Sequence, residues 1–164
     1  MVRSRLIPLV VSVAIAPTAL GAVPRNDHQV PAGTRLFIEL RTPVASDESE
    51  PQDPVRGVLK SALTADGLEL VPAGATVFGD VVDASPALRK NDRARLALRF
   101  TVLEHPQTGS RVPIRTEVLT FAVDAGKKKK GAEGAAAFSQ VRLDAGADVS
   151  LSLREPFLVR IPRP

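Results

Sequence analysis

The side chains that could do chemistry are few and scattered. Asp47, Glu48, Glu50 and Asp53 crowd the stretch Ala45–Pro54, where four carboxylates invite a calcium-site reading. An EF-hand loop needs alternating Asp/Asn positions, a central Gly and a distal Glu. None is present in that register, so the stretch reads as a solvated acidic loop. His28 and His105 lie far apart, with no Cys or carboxylate at ligand spacing, so they build neither a metal site nor an activated nucleophile. The glycines have neither GxGxxG nor Walker spacing, so no phosphate cradle is indicated. Arg89, Lys90, Arg93, Arg95 and Arg99, with Arg115 across a hairpin, could form a basic stripe. The favoured reading is the charged outer face of a sheet that must stay soluble and avoid edge pairing. Lys127, Lys128, Lys129 and Lys130 form a candidate contact loop. No catalytic constellation emerges, and no cofactor or metal is expected. The chain reads as non-enzymatic.

What would position these groups is a set of strands launched from a repeated turn. Val30–Leu40 (VPAGTRLFIEL) recurs at Val71–Val81 (VPAGATVFGDV) and at Leu143–Leu153 (LDAGADVSLSL). Each copy has a Pro or Asp, then Ala-Gly, then apolar residues at every second position, the period of a half-buried strand. Pro31 and Pro72 preset φ for a tight turn. Gly33, Gly74 and Gly146 supply the residue that needs φ > 0 or the open last turn position. The first and last copies run on into Arg-X-Pro (Arg41–Pro43 and Arg154–Pro156), which makes their strands structural equivalents. The expectation is an all-β chain, a small antiparallel or mixed β-barrel or sandwich built around the three repeats.

Further strands are expected over Val55–Leu63, Leu68–Val71, Arg93–Leu103 and Val112–Val123, with Ala65-Asp66-Gly67 as a hairpin turn. In the third of these, Leu96, Leu98, Phe100 and Val102 are assigned to one face and Arg95, Arg99 and Thr101 to the other. The apolar phase slips between Ile114 and Leu119, which places a bulge near Thr116. Gly79 inside a strand reads as a corner. Ala84–Asp92 reads as a polar connection, and Phe157–Ile161 as the last strand. Residues 124–140 break the pattern as a flexible, low-complexity insert, with Glu133–Ser139 its one short candidate helix.

Residues 1–22 carry Arg3 and Arg5, an uncharged run from Leu6 to Leu20 and small residues at Ala19 and Gly21, the layout of a signal peptide. Cleavage falls before or after Ala22. The run is under the roughly 20 residues of a spanning helix and is interrupted by Pro8 and Pro17. Residues 23–164 are then expected to form a single β-barrel-like domain, periplasmic or secreted. The chain has no Cys, which excludes both a disulfide framework and a lipid-acceptor Cys.

About 140 residues suffice for one core burying roughly two-thirds of the unfolded surface. Of 22 basic side chains the leader removes two, leaving 20 against 18 acidic and a net of +2 in place of +4. With no Trp or Tyr and six Phe, stacking platforms for bases or sugars are nearly absent, and no nucleic-acid partner is expected. A helix over residues 126–140 would reach about 22 Å, short of a hydrocarbon core of roughly 30 Å. Four lysines would oppose its burial further.

Val30-Pro-Ala-Gly-Thr34 and Asp66-Gly-Leu-Glu-Leu-Val-Pro-Ala-Gly74, followed by Gly79, resemble the C-terminal β-barrel of TrbI-like conjugal transfer proteins over most of residues 23–164. The resemblance implies a barrel that assembles in the cell envelope, with an insert between late strands near Lys127–Gln140 forming a projection. Family members carry an N-terminal anchor and a Pro-rich linker where this chain has a cleavable-looking leader. It is also similar to small exported proteins carrying that barrel alone. The expected function is therefore an exported β-barrel module acting through contacts with another envelope protein or by self-association. The alternative is a periplasmic small-ligand-binding barrel.

Overall fold

Alternation of apolar and polar residues produces an all-β chain. The computed structural model describes residues 27–126, 130 and 137–160. Residues 1–26, with the candidate signal peptide and its helix, Lys127–Lys129, most of the short candidate helix, and residues 161–164 lie outside the described residues. The strands are β1 (Asp27–Val30), β2 (Arg35–Leu40), β3 (Val44–Ala45), β4 (Pro54–Leu59), β5 (Leu63–Ala65), β6 (Leu68–Val71), β7 (Thr76–Ser85), β8 (Arg93–Glu104), β9 (Arg111–Pro113), β10 (Leu119–Asp124), β11 (Arg142–Leu143), β12 (Asp148–Ser152) and β13 (Phe157–Arg160). One large sheet runs β10-β8-β7-β4-β2-β12, with β9 also on β8. It curls into a half-barrel. The pairs β1–β13, β3–β11 and β5–β6 stand beside it, and every pairing is antiparallel.

The three Ala-Gly turns make one junction three times. Gly33, Gly74 and Gly146 have φ of 82°, 88° and 92°, the left-handed region that glycine enters without steric cost. Gly33 donates its N–H to the Leu153 carbonyl at 2.8 Å, and Leu153 donates to Thr34 at 2.9 Å. Gly146 donates to Leu40 at 2.7 Å, and Leu40 to Ala147 at 2.8 Å. Gly74 donates to Leu59 at 2.8 Å, and Leu59 to Ala75 at 2.8 Å. The N–H after each leucine then turns to another segment, from Arg154 to Arg115 between β9 and β10, from Arg41 to Arg56 on β4 and from Lys60 to Phe37 on β2. Each turn therefore starts one strand and ends another. That is why β4 stops at Leu59 and does not continue to Leu63 as the sequence reading had it.

The first and last copies pair with each other. Ile38 faces Val149 and Leu36 faces Leu151 across β2–β12, while β1 takes β13 and β3 takes β11. The segments β1–β2–β3 and β11–β12–β13 thus embrace about a local two-fold axis, Gly33 corresponding to Gly146 and Leu40 to Leu153.

Inward positions of the curl fill its interior. Leu36, Ile38 and Leu40, with Val55, Leu59, Val77, Val81, Leu96, Leu98, Phe100, Leu103 and Leu151, are all but inaccessible to solvent. Two irregularities set the phase. Phe78 pairs with Val102 but Gly79 pairs with Phe100, so Thr101 is an extra residue on β8. This bulge turns Leu103 into the core and leaves Val102 half-buried on the outer side, correcting the face assigned to Val102. Gly79 fits here because a Cβ would collide with the Arg99 carbonyl and crowd the Phe100 backbone. Val82 is the extra residue on β7. The strand then pairs on through Ser85, beyond the start expected for the polar connection.

The span expected as one strand from Val112 to Val123 is two, β9 and β10, both on β8. Between them the buried Thr116 hydroxyl accepts the Phe100 N–H at 3.0 Å and donates to the Phe100 carbonyl at 3.1 Å. A side chain thus replaces a rung of backbone pairing, where a simple bulge was expected. Asp66 and Gly67, at φ 52° and 76°, give the β5–β6 hairpin the positive φ at both central positions that type I′ turns require.

Candidate functional site

The ionisable groups lie on the outer face, where adjacent strands set them against one another. Arg99 meets Asp80 at 3.0 Å, Arg95 meets Asp83 at 3.8 Å and Arg93 meets Asp124 at 3.1 Å. Of the candidate basic stripe, Arg93, Arg95 and Arg99 thus stand in a row of cross-strand ion pairs on β7, β8 and β10, the charged outer sheet face that was the favoured reading. Arg115 is drawn away to Glu155 at 3.4 Å. The Asp80 carboxylate holds the Arg99 guanidinium above its already high range, first through its hydrogen bond and then through its charge.

The acidic loop is solvent-exposed at Glu48 and Glu50, as expected, and is also tied down at several points. Glu48 pairs with both terminal nitrogens of Arg142 on β11, and those hydrogen bonds, then the charge, hold its carboxyl below the usual range. Asp47 Oδ1 is buried without a hydrogen bond, 3.9 Å from the same guanidinium. Asp53 accepts the Glu50 N–H at 2.8 Å. Behind them, Ser46 is buried and donates to Gln140 Oε1 at 3.1 Å, while the Gln140 amide accepts from and donates to the Ala87 backbone. One amide thus ties together three loops.

His28 sits on β1, and His105 lies in the hairpin turn, where its Nδ1 accepts the Gln107 N–H at 3.3 Å. Among the described residues no cluster of three metal-ligating side chains forms, and no helix is long and apolar enough to cross a membrane. Gly33, Gly74 and Gly146 stand at the three junctions, with open space beside each. Lys130 is exposed, and Lys127, Lys128 and Lys129 lie outside the described residues. The segments flanking this insert are anchored. Ala125, Ala137 and Phe138 are buried, and Ser139 donates its N–H to Ala125 at 3.0 Å.

Three grooves open on the surface. One of about 400 Å³ is lined by the exposed Phe37 with Lys60, Ser61, Asp148 and Ser150, and its Lys60–Asp148 pair closes at 2.7 Å. A second, about 440 Å³, lies between Pro31, Thr64, Asp66 and Pro156. The third, about 360 Å³, is lined by Arg41, Thr42, Pro54, Arg56 and Phe78. The guanidinium carbons of Arg56, in its lining, and of Arg111 on the neighbouring β9 lie 5.3 and 5.1 Å from the centre of the Phe78 ring. The sequence reading missed these residues because they come from β4, β7, β9 and a turn, and no local motif joins them.

No family model matches the chain, and no curated protein matches it. Among solved structures, the chain is similar to ComB10 of the Com type IV secretion system of Helicobacter pylori. The likeness has a TM-score of 0.49 at 14% identity and covers 82% of this chain and 92% of that one.

Proposed function

We propose that this is a non-enzymatic, exported β-barrel module that works through protein contacts in the cell envelope, a solitary relative of the TrbI-like conjugal transfer barrel. The supporting observation is the filled interior. Inward positions of the curled sheet are occupied by packed Leu, Ile, Val and Phe, so recognition falls to the outer face, with its grooves, exposed Phe37 and paired charges. A small-ligand barrel would give its interior to the ligand. The leader-like residues 1–22 and the launch-turn resemblance support an envelope location, and Lys127–Lys130 remain a candidate contact loop.

Photocrosslinkable residues at Phe37, Val58 and Leu158, introduced one at a time in whole cells, test this reading. The expected result is a discrete heavier adduct from at least one position, with processed protein starting at Ala22 or Val23 in the soluble envelope fraction. A protein that stays uncrosslinked at every position and releases a stoichiometric metabolite on denaturation would replace the reading with the ligand-binding alternative.

A further inference from the structure

We infer that the cleft lined by Arg41, Thr42, Pro54, Arg56 and Phe78 docks an acidic segment of a partner protein. An Asp or Glu side chain would meet the Arg56 guanidinium, and an apolar neighbour would lie against Pro54 and the edge of the Phe78 ring, whose faces the Arg56 and Arg111 guanidiniums cover. The inference deepens the protein-contact reading and rests on it.

Charge is the first argument. The arginines of the neighbouring sheet surface are neutralised pairwise, Arg93, Arg95 and Arg99 each by an aspartate. Around the cleft, Arg41 is held by Glu39 at 2.8 Å and Arg111 by Glu104 at 2.7 Å. Arg56 has no carboxylate partner among the described residues. It contacts the Phe78 ring, which orients a guanidinium without consuming its in-plane N–H donors. The cleft therefore carries one uncompensated positive charge, presented as a fork suited to a carboxylate.

Donor chemistry points the same way. The Thr42 hydroxyl oxygen accepts the Arg56 backbone N–H at 3.2 Å, and its own hydrogen has no acceptor among the described residues. Arg41, Thr42 and Arg56 thus bring donors to a cleft whose Phe78 and Pro54 supply apolar wall.

Shape separates a protein segment from a free metabolite. The volume of about 360 Å³ exceeds one carboxylate, and the cleft is a surface groove. A small-molecule site instead encloses most of its ligand. An extended chain can lie along such a groove and seat alternate side chains in it.

The test is an amide and arginine Nε–H NMR titration of the protein with three probes: a capped Phe-Asp-Glu-Phe peptide, its Phe-Asn-Gln-Phe counterpart, and glutarate. The expected result is saturable shifts at Thr42, Arg56 and Phe78 with the acidic peptide, and binding weaker by about tenfold for the neutral peptide, the loss of one charge-assisted pair. Arg56→Gln should weaken the acidic peptide by a similar factor. Arg93→Gln, which alters an ion pair outside the cleft, should leave it unchanged. Equal binding of both peptides, an unaltered affinity in Arg56→Gln, or the absence of saturable shifts would overturn the inference. Glutarate binding as tightly as the acidic peptide would overturn the protein partner in favour of a small dicarboxylate. Crosslinks to a partner from elsewhere on the outer face, with this cleft silent, would sink the inference and leave the protein-contact reading standing.

Discussion

Thr116 stands opposite Phe100 where a backbone rung would otherwise be, its single hydroxyl accepting the Phe100 N–H and donating to the Phe100 carbonyl. Both backbone groups are buried, so removing the hydroxyl leaves two polar groups unanswered, at roughly 1–3 kcal/mol each. Thr116→Val should lower stability by about 2 kcal/mol or more, measured by urea unfolding, while Thr116→Ser should recover most of the loss. A Val variant as stable as the wild type would show that the chain re-pairs across the break.

The junction glycines should respond to conformation and not to space. Nothing lies within 4 Å of a Cβ built on Gly74, yet its φ is 88°. Gly74→Val should therefore cost about 1–3 kcal/mol, and Gly74→Asn distinctly less, because Asn tolerates the left-handed region. Equal melting temperatures for the two variants would contradict this account.

Gly79 should respond to space. Its φ is not positive, but a Cβ would run into the Arg99 carbonyl and the backbone of Phe100. Main chain cannot yield as a side-chain tip can, so Gly79→Ala should cost about 3 kcal/mol or more. Hydrogen exchange should show the β7–β8 ladder opening first, next to the Thr101 bulge. Retained protection at Phe100 in this variant would refute the close-approach reading.

Acid should loosen one corner before the rest. Glu48 is held below its ordinary value of about 4.5 by Arg142, so its folded pKa lies under its unfolded one. Its contribution is fully present above the unfolded value and is lost as pH falls through the folded value. The amides of Ser46 and Val141 should lose exchange protection as pH drops below about 4.5, and Glu48→Gln should show the same loss at neutral pH. Both groups are exposed, so the effect should be local and should weaken with salt.

The sequence made the junctions legible because a left-handed turn almost demands glycine and a half-buried strand almost demands alternation. Gly33, Gly74 and Gly146 could be located from those demands alone. The bulges were hidden for a complementary reason. Val102 is apolar whichever way it faces, and only its pairing with Phe78 and Pro113 across two other strands decides that Leu103 takes the interior. The split of Val112–Val123 was visible as a slip in phase. The hydroxyl that fills the gap was not, since a threonine in a strand ordinarily signals nothing. The candidate cleft was illegible altogether, because Arg41, Thr42, Pro54, Arg56 and Phe78 meet only in space, and because the neighbouring Arg41 and Arg111 are seen to be paired, and Arg56 not, only once the strands are laid side by side.

The embrace of the two end segments also orders events in time. β1, β2 and β3 find their partners in β13, β12 and β11, so Asp27 waits for Arg160 and the sheet edge at β2 stays unsealed until the last strands exist. Contacts this distant along the chain fold slowly. A chain threaded from its N-terminus, through a ribosome or a translocation pore, would stay open and pliable until its final residues came through. The same arrangement makes a shortened product conspicuous. A chain cut before Asp148 would leave β2 with the unpaired backbone edge that β12 otherwise covers, the kind of edge that recruits proteases and chaperones or seeds aggregates, so incomplete copies would be cleared and not mistaken for finished ones.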